Sequence, residues 1–221
     1  MGRSEACGRI QCLPHHRYTW LKANAVGEVL DVGANEGSQW NMPPDFQPIQ
    51  LTYFDCDVWK GPKPYVRGEA SKLPFRSGAF DTVVLSDILE HIPHDPRGVL
   101  AEAMRVSRYK VLVTVPDEAG WDPHLTPFKT REKYLEEIGS YEEMVHKWTM
   151  GLKSDYAKCG GYIDDRQFTH LYHVNWFTLD TFRSLVESVN PKGYSIQHLH
   201  YGGGFVHFAA VLIKPEEEKK C

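Results

Sequence analysis

Long runs of one character are what this sequence has least of. No apolar stretch approaches the roughly 20 residues that a membrane-spanning helix needs, so no membrane partner is expected. The opening MGRSEACGRIQC lacks the apolar core of a secretory leader, and Ala6 stands where N-myristoylation would want Ser or Thr. There is no block of Lys or Arg: 25 basic residues are spread against 29 acidic ones, for a net charge of −4. That balance does not favour a phosphate backbone, and nucleic acid is not expected as a partner. The five cysteines, odd in number and unpatterned, do not make a disulfide framework and suit a reducing cytoplasm. Cys7, Cys12, His15 and His16 fall as C-x4-C-x2-H-H. Structural zinc sites are spaced differently and no second pair is near, so no metal is expected. No internal repeat is present, and only the tail KPEEEKKC is low in complexity.

What the sequence does have is apolar material for a core, 42% of 221 residues, read as a single domain over 1–221. Val29–Val32, Leu51–Phe54 and Tyr65–Val66 read as short strands. Asp81–Leu85 and Tyr109–Val115 are apolar almost throughout, the pattern of parallel strands buried on both faces. Between those two, Asp95-Pro96 is a helix start, followed by Val99, Leu100, Ala103, Met104 and Val106 at helical spacing. A late helix opens at Thr178, puts Leu179, Phe182, Leu185, Val186 and Val189 on one face, and stops at Asn190-Pro191. The chain then offers Tyr194–Tyr201, a turn at Gly202-Gly203-Gly204, and Phe205–Ile213, which must pair antiparallel. The expected fold is α/β: a doubly wound, seven-stranded sheet, mostly parallel, whose last strand runs backwards. Only 13 residues separate Gly37 from Leu51, with Pro43-Pro44 among them, and Pro62 and Pro64 interrupt the next connection. The early helices of such a fold are therefore expected to be short or missing. Cover for strands one to three is expected from residues 7–25, with Ile10, Leu13, Tyr18, Trp20 and Leu21, and from the excursion helix folding back, which favours a monomer over a homodimer.

Sheets of this kind bind ligands beyond the carboxyl ends of their strands, and that is where the informative residues fall. Asp31-x-Gly33-x-Asn35-x-Gly37 follows the first strand; glycine lets backbone approach a ligand closely, and Asn tolerates left-handed geometry next best. Asp55 ends the second strand, where an acid can accept both hydroxyls of a ribose. Gly68-Glu69-Ala70 follows the third, where an acid can receive an adenine amino group, and Ser86-Asp87-Ile88-Leu89-Glu90-His91 follows the fourth. The nicotinamide fingerprint G-x-G-x-x-G is absent, and Glu36 would set a negative charge where a pyrophosphate must sit.

Residues 26–116 resemble the class I S-adenosylmethionine-dependent methyltransferases, in the branch of small-molecule and quinone-biosynthesis enzymes (methyltransferase type 11). The segments VLDVGANEG, YFDCD, GEASKLPFRSGAFDTVVLSDILEHIPHDPRGVLAEAMRV and VLVTVP occur in the family's order. The resemblance implies a Rossmann-like fold and S-adenosylmethionine as cofactor. It implies that Asp31, Gly33 and Gly37 lie along the methionine portion, Asp55 at the ribose, Glu69 and Ala70 at the adenine, and the backbone near Ser86 on the sulfonium side, with Ala34, Asn35 and Cys56 also among the cofactor-binding residues. The family usually carries glycine where Asn35 stands and aspartate where Glu69 stands. Asp81 recurs in the family before the fourth strand and is read as structural.

On this resemblance the expected activity is methyl transfer to a small-molecule acceptor: a sugar, a lipid or quinone precursor, or another metabolite. The alternatives are a cofactor-binding protein without catalysis and a modifier of protein or nucleic acid. Residues 117–177 form an excursion whose segment GGYIDDRQFTHLYHVNWFT is dense in aromatics and histidines, and it is expected to shape the acceptor site. A hydroxyl acceptor would want a base titrating near neutrality; the candidates are His91, His124, His170 and His173. The run RYTWLK is expected near the cofactor mouth.

Overall fold

The computed structural model describes residues 16–34, 40, 50–55, 64–92, 95–117, 120, 173, 175–200 and 206–215. Its elements in chain order are helix α1 (His16–Asn24), strands β1 (Glu28–Val32), β2 (Gln50–Asp55), β3 (Tyr65–Arg67) and β4 (Phe80–Ser86), and a 3-10 turn at Leu89–His91. Helix α2 (Arg97–Val106), strand β5 (Ser107–Pro116), helix α3 (Leu179–Glu187) and strands β6 (Gly193–His200) and β7 (Val206–Ile213) complete them. The sheet has seven strands in the order β3-β2-β1-β4-β5-β7-β6. Strands β1 to β5 pair in parallel, and β7 is antiparallel to both of its neighbours. The fold is thus the expected one, with β7 as the single reversed strand. From β1 the chain steps outward to β2 and β3, then returns to lay β4 on the other side of β1. That reversal opens a crevice beyond the carboxyl ends of β1 and β4.

Each face of the sheet is covered differently. On one face α2 and α3 press Leu100, Ala103, Val106, Phe182 and Val186, all fully buried, onto Leu30, Val83, Leu85, Val111 and Val113. Helix α2 starts one residue later than an Asp95 cap with Pro96 in the first turn would have it: Pro96 is the N-cap residue, without a side-chain cap bond, while Asp95 Oδ1 accepts the Arg97 amide at 3.0 Å and Leu100 N–H donates to Pro96 O at 3.1 Å. Helix α3 opens on a reciprocal cap, with Thr178 Oγ1 accepting the Thr181 amide and Thr181 Oγ1 accepting the Thr178 amide. The apolar stripe expected on α3 needs one correction. Leu179 is 41% exposed, because it sits in the first turn, beyond the edge of the core that Phe182 and Val186 fill.

Among the described residues the opposite face is covered by α1. Leu21 is 1% exposed and packs with Ala25 against Val29, Val84 and Leu112, with Tyr18, Trp20 and Trp40 around the rim. Burying a leucine this fully contributes about 1.5–3 kcal/mol. Trp20 extends the contact to the sheet's far edge, donating from Nε1 to Gln197 Oε1 of β6 at 3.0 Å. Tyr18, Trp20 and Leu21 therefore give the cover from within the chain that their sequence suggested, while Ile10 and Leu13 lie outside the described residues. So do residues 35–39, 41–49 and 56–63, where the shortened helices are expected, and the glycine turn 202–204. Asp81 has the structural part expected of it: Oδ2 accepts the Glu28 amide at 3.0 Å, and the carboxylate pairs with Arg108. Among the described residues no helix is long and apolar enough to cross a membrane.

Candidate functional site

The crevice is built from the last residues of β1, β2, β3 and β4. At the end of β1, Gly33 has φ +72°, a conformation that side chains strain. A Cβ there would also meet Ile88 Cδ1 at 2.7 Å. The Gly33 and Ala34 amides both donate to Phe54 O, at 2.8 and 3.2 Å, which draws the start of the loop onto β2. Asp31 lies beneath this turn, wholly shut off from solvent, and its Oδ2 accepts Trp40 Nε1–H at 2.8 Å. Its partner across the ladder is Tyr53, whose hydroxyl pKa is raised by burial and then by the Asp31 charge.

Asp55 closes β2, half-buried, and its carbonyl accepts the Gly68 amide at 3.0 Å. This bond holds Gly68-Glu69 beside Asp55. A side chain at Gly68 would meet the Phe54 ring at 2.8 Å, so the approach requires glycine. Glu69 is exposed and accepts a hydrogen bond from Ser71, while Ala70 is half-buried against the core. Ser86 ends β4, buried, with its hydroxyl 3.0 Å from that of Thr114. Of the expected cofactor contacts, Asn35, Gly37 and Cys56 lie outside the described residues.

Asp87, the next residue, has φ +52°, which aspartate tolerates better than most residues. Four groups fix it: its amide donates to Thr114 O at 3.0 Å, Thr114 Oγ1–H donates to Oδ1 at 2.8 Å, His207 Nε2 lies 3.0 Å from Oδ2, and Arg17 of α1 pairs with Oδ2. Thus the stretch expected near the mouth reaches the crevice through Arg17. Sequence reasoning singled out neither Arg17, Thr114 nor His207. The available signal was a single polar residue inside each of two apolar runs, Thr114 in VLVTV and His207 in FVHFAAV.

Two of the four candidate bases come together. His91, on the 3-10 turn, and His173 stand edge to face with ring centroids 4.8 Å apart. Burial, then the nearby His207, lowers the His173 pKa to about 3. Glu90, 1% exposed, lies beside them. His124 and His170 lie outside the described residues.

A cavity of about 430 Å³ opens elsewhere, between α3 and β6, bounded by Asp117, Leu179, Arg183, His198 and Phe208. It lies at the root of the 117–177 excursion, because Asp117 and Thr178 stand where that segment leaves and rejoins the fold. Inside it, His198 Nε2 and Asp117 Oδ2 are 2.8 Å apart.

Residues 30–113 match a family model described as a methyltransferase domain. No curated protein matches the chain by sequence. Among solved structures it is similar to a Thermotoga maritima SAM-dependent methyltransferase described as a possible histamine N-methyltransferase. Identity there is 12% over 94% of this chain and 93% of that one, with a TM-score of 0.54. A Methanosarcina mazei SAM-dependent methyltransferase aligns at 17% identity over 86% and 93%, with a TM-score of 0.52. Magnesium protoporphyrin IX methyltransferase of Synechocystis, with S-adenosylhomocysteine bound, aligns at 14% identity over 95% and 84%, with a TM-score of 0.50. At these identities the likeness is one of fold.

Proposed function

We propose that residues 30–113, which match a methyltransferase-domain family model, form a class I S-adenosylmethionine-dependent methyltransferase domain, and that the chain moves a methyl group from this donor to a small-molecule acceptor. When bound, the donor supplies a methyl already activated by its sulfonium. The observation that carries the assignment of residues is the Gly68-to-Asp55 hydrogen bond, which sets two acids side by side along the crevice rim. Asp55 would hold the ribose hydroxyls, Glu69 and Ala70 the adenine, and Ser86 the sulfonium side. Gly33 and Ala34 would line the methionine portion with bare backbone, together with Asn35 and Gly37, and Cys56 would flank the ribose. Asp31 is completely buried, so it acts by anchoring this loop through Trp40.

The protein's main work on such a donor is orientation, which can account for ~7–11 kcal/mol of a barrier. The acceptor would enter from the side of the 117–177 excursion, whose root carries the cavity with Arg183 and the Asp117–His198 pair. His173, with a pKa of about 3, is poorly matched to taking a proton near neutrality. The chain would work as a monomer, since α1 covers its own sheet, and its five unpatterned cysteines suit the cytoplasm. Titration calorimetry with S-adenosylhomocysteine tests the donor half. The parent should bind it and not NAD, and Asp55→Ala should bind at least about tenfold more weakly, a loss of ~1.4 kcal/mol or more. Unchanged affinity in that variant removes Asp55 from the site. A screen of hydroxyl- and amine-bearing metabolites with labelled donor tests the acceptor half.

A further inference from the structure

Glu90, His91 and His173 gather a carboxylate and two imidazoles, and the donor site uses none of them. One ligand atom from each lies within 4.8 Å of the other two. They come from separate stretches of chain, the Leu89–His91 turn beyond β4 and the approach to α3. Asn175 fastens one to the other without involving the three side chains. Its amide donates to Glu90 O at 3.0 Å, and its side-chain nitrogen donates to Leu89 O and Ile92 O at 2.8 Å each. The scaffold is therefore built before any ligand arrives. Glu90 and His173 are 1% and 4% exposed, and a carboxylate so deeply buried gains from a cation beside it.

We propose that Glu90, His91 and His173 bind a divalent transition-metal ion, with zinc the natural occupant. Two imidazoles with one carboxylate are a donor set that zinc accepts, leaving at least one position open to a further ligand. Zinc ligands about 2.0–2.2 Å from the ion stand roughly 3.4 Å apart when tetrahedral. Closing from the present separation needs a shift that His91, a third exposed, can make by side-chain rotation. This site departs from the sequence expectation of no metal because its ligands are 82 residues apart (173 − 91), a spacing that belongs to no short motif.

Resting on the methyltransferase reading, the open position takes an oxygen of the acceptor. Binding lowers the pKa of an acceptor hydroxyl, which releases its proton to solvent. Its oxygen then forms the bond to the methyl carbon as the carbon–sulfur bond breaks and the electron pair returns to sulfur. Substrates with a hydroxyl able to ligate a metal are thereby favoured over amines.

The test uses the whole chain, stripped with a chelator and titrated with Co(II) while the visible spectrum is followed. One equivalent should bind, with d–d bands and no thiolate charge-transfer band. Glu90→Gln and His173→Gln should each weaken Co(II) at least tenfold, with S-adenosylhomocysteine affinity unchanged within threefold as the check on folding. Should either variant fail to fold, His91→Gln takes its place. Failure of the parent to bind one equivalent, a thiolate band, or variants that bind as the parent does would overturn the proposal. Co(II) bound at this site by a chain that ignores S-adenosylhomocysteine would sink the methyltransferase reading and leave the metal site standing; the reverse result would sink the metal site alone.

Discussion

Replacing Trp40 by phenylalanine takes one donor from a carboxylate that water does not reach. Trp40 Nε1 lies 2.8 Å from Asp31 Oδ2, and Asp31 has no exposed surface. A hydrogen bond to a charged group contributes about 1.5–3 kcal/mol. Phenylalanine keeps much of the ring's packing beside Leu21 and Val29, so the loss is chiefly that bond. For a chain of this size about 1 kcal/mol moves the melting point by about 2–4 °C, so Trp40→Phe should melt roughly 3–12 °C below the parent. Asp31→Asn removes the charge the bond serves. The double variant should therefore be more stable than the sum of the single losses predicts, with a coupling above about 0.5 kcal/mol. Calorimetric melts of the four proteins complete the cycle. A Trp40→Phe protein that melts within about 1 °C of the parent, or a cycle that closes additively, refutes the idea that this bond anchors the loop.

Leu21→Ala should cost about 2–5 kcal/mol in urea unfolding, because the site under α1 cannot collapse onto the sheet; a loss below about 1 kcal/mol would deny α1 its covering role. Gly33→Ala forces a side chain into left-handed backbone, at about 1–2 kcal/mol, and pushes on Ile88, so both the melting point and S-adenosylhomocysteine affinity should fall. The His173 pKa is lower in the folded chain than unfolded, so between its ordinary value of 6.5 and about 3 the unfolded state binds the extra proton. Metal-stripped protein should then lose about 1.4 kcal/mol for each pH unit of acidification across that window, and His173→Gln should flatten the slope.

What could be read from the sequence was whatever a short stretch decides by itself. The strands of the sheet fall within two residues of their expected ends, since an apolar run bounded by Asp, Gly or Pro fixes both length and stop. The Asp95-Pro96 start and the Thr178 cap were legible for the same reason: each is a local bargain between a side chain and the next few amides. Asp55 and Glu69 could be named as rim acids because each follows a strand, and carboxyl ends of parallel strands meet. The helical state of His16–Asn24 was harder to see, because Arg17, Tyr18 and Thr19 interrupt any clean apolar spacing and the helix depends on the sheet beneath it. The Asp87 network was invisible. Arg17, Thr114 and His207 meet it from three distant parts of the chain, and no local pattern encodes that meeting. Leu179 misled because helical periodicity says which side a residue takes but not where the core ends.

The position of β7 sets a timetable for the molecule's manufacture. Residues 206–213 lie between β5 and β6, so Val113 and Ile196 both wait for Ala210 before their rows of backbone groups are matched. On a ribosome, β1 to β5 can assemble as their residues emerge, yet the apolar run VLVTV of β5 remains an open border until nearly all of the described chain has been made. An unpaired border of that composition invites strands from other molecules. Growing chains of this protein should therefore need escort by a holding chaperone during the last part of synthesis, and the need should end abruptly when the hairpin slots in.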